Sequence, residues 1–263
     1  MTRGALPAAL RSLPDEGADP AVIEELAGLR PLITALGYEF ARPALLRVAL
    51  TLGSWCNEHP HAGWPSHERL EFFGDAVLDL LSAERLWLRF DDASEGALTR
   101  MQARVVSEAG LATVARALGL GAWLFVGRGD AQGGARERDG SLADALEAAL
   151  GAIFLDARAC GRDPLAAAGA AFDRLFAEVM AGLDPGEEDV KSLLGRVVQG
   201  RYRQTPRYVC AAAEGSTSAA PWWIARVELT VEGAPRVLGA GEGATKREAQ
   251  RAAAAAALVS FDP

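Results

Sequence analysis

Apolar residues recur at helical spacing through most of the first 180 positions, and the pattern then changes to a two-residue alternation. The helical pattern runs from Ala21 to about Gly182 and is broken by two stretches that read as irregular, Gly53–Ser66 and Gly127–Gly140. Residues 1–20, rich in Ala, Pro, Gly and Asp, have no sustained period and read as a loose leader. The segment Gly182-Leu-Asp-Pro-Gly-Glu-Glu-Asp189 reads as a linker from its Gly, Pro and acidic content. Beyond it, Asp189–Gln199 predicts a short helix. Trp222–Glu232 predicts a half-buried strand, with Trp223, Ala225, Val227, Leu229 and Val231 facing one side. Pro206–Ala213 and Arg236–Ala240 are weaker strand candidates, joined in the second case through a turn at Gly233-Ala-Pro235. The Ala-rich stretch Thr245–Phe261 is a strong helix former. The expected architecture is therefore an all-α body over 21–180, a linker over 181–188, and a small α-β-β-β-α domain over 189–261.

Composition fits that division. The chain has 263 residues, 50% apolar and 24% charged, enough to bury a core and unlike a disordered chain. Its net charge of −8 excludes a uniformly basic nucleic-acid coat but not a local basic surface. Residues 189–263 carry 10 basic and 7 acidic side chains, so the tail is +3 and the rest of the chain −11. Only two lysines occur, Lys191 and Lys246, and both lie in the tail. Cys56, Cys160 and Cys210 are far apart and outside any C-x-x-C spacing, as expected of thiols in a reducing compartment. The absence of a signal-peptide pattern and of an 18-residue apolar run predicts a soluble, cytoplasmic protein without a membrane span.

Two helical segments carry the chemistry. In His67–Leu81, at about 100° per residue, Glu68, Glu71, Asp75 and Asp79 fall within an arc of about 80°. Leu70, Phe72, Phe73, Ala76, Val77, Leu78, Leu80 and Leu81 fill nearly all the rest, which predicts a buried helix. Like charges at these spacings repel. Acids that merely face water would explain one such stripe, but a second segment argues against that. In Ser141–Leu155, Asp144 and Glu147 are the only charged residues and share one face. Gly151, one turn on, leaves that face unobstructed. Unpaired carboxylates on an apolar helix are costly, and the segment has no Lys or Arg to offset them. A hard cation held by carboxylate oxygens, Mg²⁺ or Mn²⁺, fits this donor set. Two such helices face to face would support metal-assisted phosphodiester hydrolysis, with a metal-bound water as nucleophile. A di-iron bundle would need Glu-x-x-His motifs, and none occurs: His59, His61 and His67 all precede Glu68. A zinc set of Cys56, His59, His61 and His67 has no common structural spacing, and Pro60 and Pro65 mark a loop there.

Glu68-Arg-Leu-Glu-Phe-Phe-Gly-Asp75 resembles the ribonuclease III signature E-R-L-E-F-L-G-D. Leu142-Ala-Asp-Ala-Leu-Glu-Ala-Ala-Leu-Gly-Ala-Ile-Phe-Leu-Asp156 resembles that family's second segment, and Gly96–Ser107 between them is also similar. The resemblance implies a Mg²⁺-dependent homodimeric endonuclease of double-stranded RNA, with no organic cofactor, that leaves 5′-phosphate and 3′-hydroxyl ends on structured rRNA, tRNA and mRNA precursors. It implies Glu71, Asp144 and Glu147 as metal ligands, Asp75 and Glu147 as catalytic acids, and Glu68 as a residue near the dimer interface and substrate. Ala49-Leu-Thr-Leu-Gly-Ser54 departs from the family's A-(L/F)-T-H-(R/K)-S at Leu52 and Gly53, and Asp130 stands where Glu is usual. Arg128, Arg136 and Arg138, on the loop before Asp144, are candidate phosphate contacts. A non-catalytic duplex-RNA-binding protein on the same fold is the alternative.

The tail's last helix opens on Thr245-Lys-Arg-Glu248, a capping box that puts Lys246 and Arg247 in the first turn. The dipole disfavours cations there, so a phosphate bound by the helix start and both side chains would account for them. Gly239, Gly241 and Gly243 would let a backbone approach closely. The stretch resembles the G-x-G-x-S-K-K-x-A motif of double-stranded-RNA-binding domains, which read duplex shape across minor grooves. Asp189-Val-Lys-Ser-Leu-Leu194 matches their opening and includes Lys191. Gly195 and Arg196 stand where Gln-Glu is common, and the Gly215–Ser218 loop lacks a frequent His. Arg196 could instead meet a phosphate.

Overall fold

The structure is a computed structural model that describes residues 6, 8–11, 13, 20–184, 190–213, 217, 221–231 and 234–261. The chain divides into two compact units, Met1–Pro185 and Gly186–Pro263. The expected boundaries at 181–189, the Gly215–Ser218 loop and residues 232–233 lie partly or wholly outside the described residues.

The first unit is helical. It opens with α1 (Ala8–Arg11), α2 (Pro20–Gly28), α3 (Arg30–Leu36) and α4 (Pro43–Ala49). Proline supplies the fixed φ of a first helical turn in α3 and α4, and Gly37 ends α3 at φ 73°, a left-handed value natural to glycine. Next come α5 (Gly53–Glu58) and α6 (Glu68–Arg89), then α7 (Glu95–Val105) and α8 (Glu108–Ala117). Ser94 and Ser107 cap α7 and α8 by accepting from Ala97 N and Gly110 N. The unit closes with α9 (Arg128–Gln132), α10 (Asp139–Ala159), α11 (Pro164–Leu175) and α12 (Ala177–Ala181). Both stretches expected to be irregular therefore contain a short helix, α5 and α9. Each has no more than six residues, too few to show a helical period.

α10 is the central post, packed by α4, α6, α8 and α11. Its small residues Ala143, Ala145, Ala148, Ala149, Gly151 and Ala152 are buried, so neighbouring helices approach closely on several sides. At its far end the buried Asp156 carboxylate accepts from the Tyr38 hydroxyl at 2.8 Å, Ala41 N at 3.0 Å, Arg42 N at 2.9 Å and Arg162 at 3.0 Å. Burial, with the Asp156 hydrogen bond next, pushes the Tyr38 phenol well above its ordinary range.

α6 corrects the sequence expectation in one respect. Leu70, Val77, Leu78, Leu81 and Leu86 are buried, but Phe72 is 83% exposed, Leu80 54% and Trp87 69%. These residues and Ala76 follow the acids round the helix, so apolar character over most of the girth does not mean burial over most of the girth within one chain.

The second unit is α13 (Val190–Tyr202), β1 (Arg207–Ala212), β2 (Trp223–Val231), β3 (Ala234–Gly243) and α14 (Lys246–Val259). The sheet is antiparallel in the order β1-β2-β3, with a bulge in the β2–β3 pairing at Val227/Glu228. Ala225, Val227 and Leu229 are buried as the alternation predicts, under Leu194 and Val198 of α13 and Ala249, Ala253, Ala254 and Ala257 of α14. The glycines of β3 serve this packing. A Cβ at Gly241 would fall 2.3 Å from Ala253 N, and one at Gly239 2.5 Å from Ala253 O. The backbone they admit is that of α14.

Candidate metal centre and nucleic-acid interface

The acids of α6 and α10 meet where the two helices cross without side chains between them. A Cβ on Gly74 would lie 1.9 Å from Glu147 O, and one on Gly151 would lie 2.7 Å from Leu70 O. Gly151 thus admits the backbone of α6, rather than clearing space for the Glu147 carboxylate.

The close crossing crowds the carboxylates. Glu147 is raised to about 7 by burial first, then by the charges of Asp75, Asp144, Glu71 and Asp79. Glu71 is raised by burial and by Asp144, with His67 opposing. Asp79 is raised by burial and Asp75, against a hydrogen bond from Gln102. Glu68 stands apart: it is exposed, its Oε1 lies 3.2 Å from where a Gly53 Cβ would be, and it lines a cavity of about 450 Å³ with Phe72, Phe73 and Arg158.

His67 was not singled out for this site from the sequence, yet it lies in it. It is 6% exposed, and its Nε2 is 3.6 Å from Glu71 Oε2 and 3.9 Å from Asp144 Oδ2. Among the described residues, His67, Glu71 and Asp144 form the group whose ligand atoms lie close enough together to hold a metal ion. Burial lowers the imidazole pKa, but the neighbouring Asp144 and Glu71 carboxylates and the Thr51 carbonyl outweigh it, and the net shift is upward. Of the considered zinc set, Cys56 and His59 are engaged elsewhere, Cys56 Sγ donating to Trp64 O and His59 stacking on Trp55, and His61 is exposed.

The strand-like segment at Thr51 holds His67 in place. Thr51 O accepts from both His67 N and His67 Nδ1, each at 2.8 Å. Thr51 is itself bonded through its hydroxyl to Arg47, a fully buried guanidinium that pairs with Glu25. The rings of Trp55, Trp64 and Phe125 enclose that guanidinium, with its carbon 4.5, 4.8 and 3.3 Å from the ring centroids. Leu52 is a core residue whose N–H donates to Phe125 O, and Gly53 opens α5. The two departures thus sit in the packing beside the acids. Of the loop arginines, Arg136 is spent on Gly121 O at 3.1 Å, while Arg128 and Arg138 are exposed, as Asp130 is in part.

In the tail, the capping box forms as expected: Thr245 Oγ1 accepts from Glu248 N and the Glu248 carboxylate from Thr245 N, each at 3.1 Å. Lys246 and Arg247 are exposed in the first turn, and Lys246 Nζ lies 4.4 Å from the Trp223 ring centroid. Lys191 donates to Gln250 at 2.7 Å and lies over Tyr208, bracing α13 against α14 and β1. Arg196 lies on the same helix beside Gly195. Trp222 donates its indole N–H to Glu242 at 3.1 Å.

The sequence model described as Ribonuclease-III-like matches residues 42–161, and that described as the double-stranded RNA binding motif matches residues 190–259. Fold, acids and tail together define an endoribonuclease carrying a double-stranded-RNA-binding domain. A ribonuclease 3 of Pseudothermotoga lettingae is 38% identical over 240 residues, covering 89% of this chain and 96% of that one. The nuclease domain of ribonuclease III from Campylobacter jejuni, solved at 2.2 Å, is 35% identical, covers 59% of this chain and 98% of its own, and superposes with a TM-score of 0.52. A second structure of that domain, also 35% identical with a TM-score of 0.52, covers 58% of this chain and 99% of its own. It is described as showing structural flexibility in a region involved in dimer formation. The chain belongs to the ribonuclease III family. None of its described helices is long and apolar enough to cross a membrane.

Proposed function

We propose that this chain hydrolyses phosphodiester bonds in double-stranded RNA with the aid of Mg²⁺, which Mn²⁺ can replace, leaving 5′-phosphate and 3′-hydroxyl ends. The observation that carries the reading is the crowding of Asp75, Asp144, Glu71 and Asp79 around a partly buried Glu147. Such a cluster is a liability without a cation and a ligand set with one. Glu71, Asp144 and Glu147 would hold the ion. A bound divalent ion polarises the phosphate and makes water more acidic. Asp75 and Glu147 are the catalytic acids: they orient the attacking water and take up its proton. Glu68, at the edge of the cluster, meets substrate or the second protomer.

Catalysis is assigned to residues 21–180 and duplex binding to residues 189–261, with 181–188 as the linker. Lys246, Arg247 and Thr245 at the start of α14, with Lys191 and Arg196 on α13, form the phosphate-facing set. The working unit is a homodimer, a reading supported by the exposed Phe72, Leu80 and Trp87 on α6. Structured rRNA, tRNA and mRNA precursors in the cytoplasm are the substrates.

The test is a labelled RNA duplex incubated with the full chain, with Mg²⁺ and with a chelator. Cleavage that requires the metal and disappears in Glu147→Ala, while binding persists, is the expected result. Tight binding without any cleavage in either Mg²⁺ or Mn²⁺ would overturn the proposal.

A further inference from the structure

We propose that His67 is a fourth protein ligand of the metal centre, giving it a nitrogen donor that shifts its preference from Mg²⁺ toward Mn²⁺ and Co²⁺. The inference rests on the reading of Glu71 and Asp144 as metal ligands and adds the imidazole to that set.

Tautomer and aim both follow from the hydrogen bonds. A carbonyl oxygen can only accept, so the 2.8 Å contact with Thr51 O places the proton of a neutral ring on Nδ1. Nε2 is left with its lone pair directed at Glu71 and Asp144. A backbone carbonyl holding one ring nitrogen while the other faces a cluster of acids is the usual outer-shell arrangement of a metal-bound histidine. The ring is also locked in place, because Thr51 O takes the His67 backbone N–H as well and Thr51 is tied to the caged Arg47.

The spacing favours a ligand over a counter-ion. At 3.6 and 3.9 Å, Nε2 is outside hydrogen-bonding distance of both carboxylates. Two donors can share one ion at about 2.1 Å from each when they lie within about 4.2 Å of one another, and both pairs do. An imidazolium serving only as a counter-ion would be expected to close on at least one oxygen.

The chemical consequence is selectivity. Mg²⁺ prefers an all-oxygen shell and keeps its waters, whereas the divalent ions of the first transition row accept an imidazole nitrogen more readily, Co²⁺ more than Mn²⁺ and both more than Mg²⁺. A site of three carboxylates and one imidazole should therefore discriminate against Mg²⁺ more than three carboxylates alone.

The experiment uses Mn²⁺ as the probe, on the full chain without RNA. Binding is followed by electron paramagnetic resonance, and nitrogen coupling to the bound ion by electron spin echo modulation. Wild type should bind Mn²⁺ with a ¹⁴N coupling that persists in the double variant H59Q/H61Q, which alters two exposed histidines outside the site. His67→Gln should abolish the coupling and lower the ratio of Mn²⁺ to Mg²⁺ affinity by roughly ten-fold. Its thermal melt shows whether it is folded, and the H59Q/H61Q spectrum decides the matter if it is not. Bound Mn²⁺ without nitrogen coupling in wild type would overturn the role of His67 and leave the carboxylate site standing. No Mn²⁺ binding in wild type would overturn both.

Discussion

Gly74 and Glu147 touch backbone to backbone: a Cβ on the first would fall 1.9 Å from the carbonyl oxygen of the second. The distance between the acids of α6 and those of α10 is thus set by a missing side chain. Gly74→Ala should force the helices apart, cost about 1–3 kcal/mol or more in stability, and remove most cleavage activity. Denaturant unfolding and duplex cleavage check this, and an active, undestabilised Gly74→Ala protein would contradict it.

Metal removal should give the protein an unusual pH dependence. Glu147 titrates near 7 in the folded, metal-free chain and near 4.5 when unfolded. Between those values the folded state holds the extra proton, so the metal-free protein should lose stability as pH rises from about 5 to about 8. Melting temperatures in chelator should fall across that window, while a Glu147→Gln variant or saturating Mg²⁺ should flatten the fall.

Asp156 ends the second acidic segment but serves only the fold. Its four hydrogen bonds tie α10 to the Tyr38–Arg42 segment and to Arg162. Asp156→Ala should cost about 3–5 kcal/mol by leaving these donors buried and unpaired. The variant should keep its metal affinity at temperatures where it remains folded, and a calorimetric titration would detect a loss.

In the tail, Lys246→Ala combined with Arg247→Ala should weaken duplex binding and lower the slope of log K against log salt by about 2, one for each phosphate that is no longer neutralised. Thr245→Ala should instead destabilise the tail by about 1 kcal/mol through loss of the cap. An unchanged salt slope in the double variant would remove the phosphate role proposed for the start of α14.

The exposed stripe on α6 yields a prediction about assembly. Phe72→Arg or Trp87→Glu should convert the chain to a monomer in sedimentation while leaving its melting temperature as a monomer nearly unchanged, since neither side chain contributes to the core.

Much of this site was legible in the sequence because its signal is periodic. Glu71, Asp75, Asp144 and Glu147 stand out as like charges on apolar helices, and periodicity fixes which face they share. The strand alternation of Trp223–Val231 and the Thr245–Glu248 capping box could be read in the same way. His67 was hidden because it begins the helix, one position outside the acidic motif, and its partner Thr51 is 16 residues away in sequence. Phe72 and Leu80 were misread as core because apolar content does not reveal whether a face is covered by the same chain. The work of Gly74, Gly151, Gly239 and Gly241 depends on which backbone lies opposite, and that is a tertiary fact.

The ring of aromatics around Arg47 has an optical consequence. Trp55 and Trp64 flank the guanidinium that holds Thr51, and Thr51 holds His67. Indole emission is sensitive to a nearby cation, so a displacement of the Arg47 guanidinium relayed through Thr51 and His67 would register in these two tryptophans. Ion binding at the acidic cluster should be readable as a change in intrinsic fluorescence, with no label attached to the protein or to the RNA.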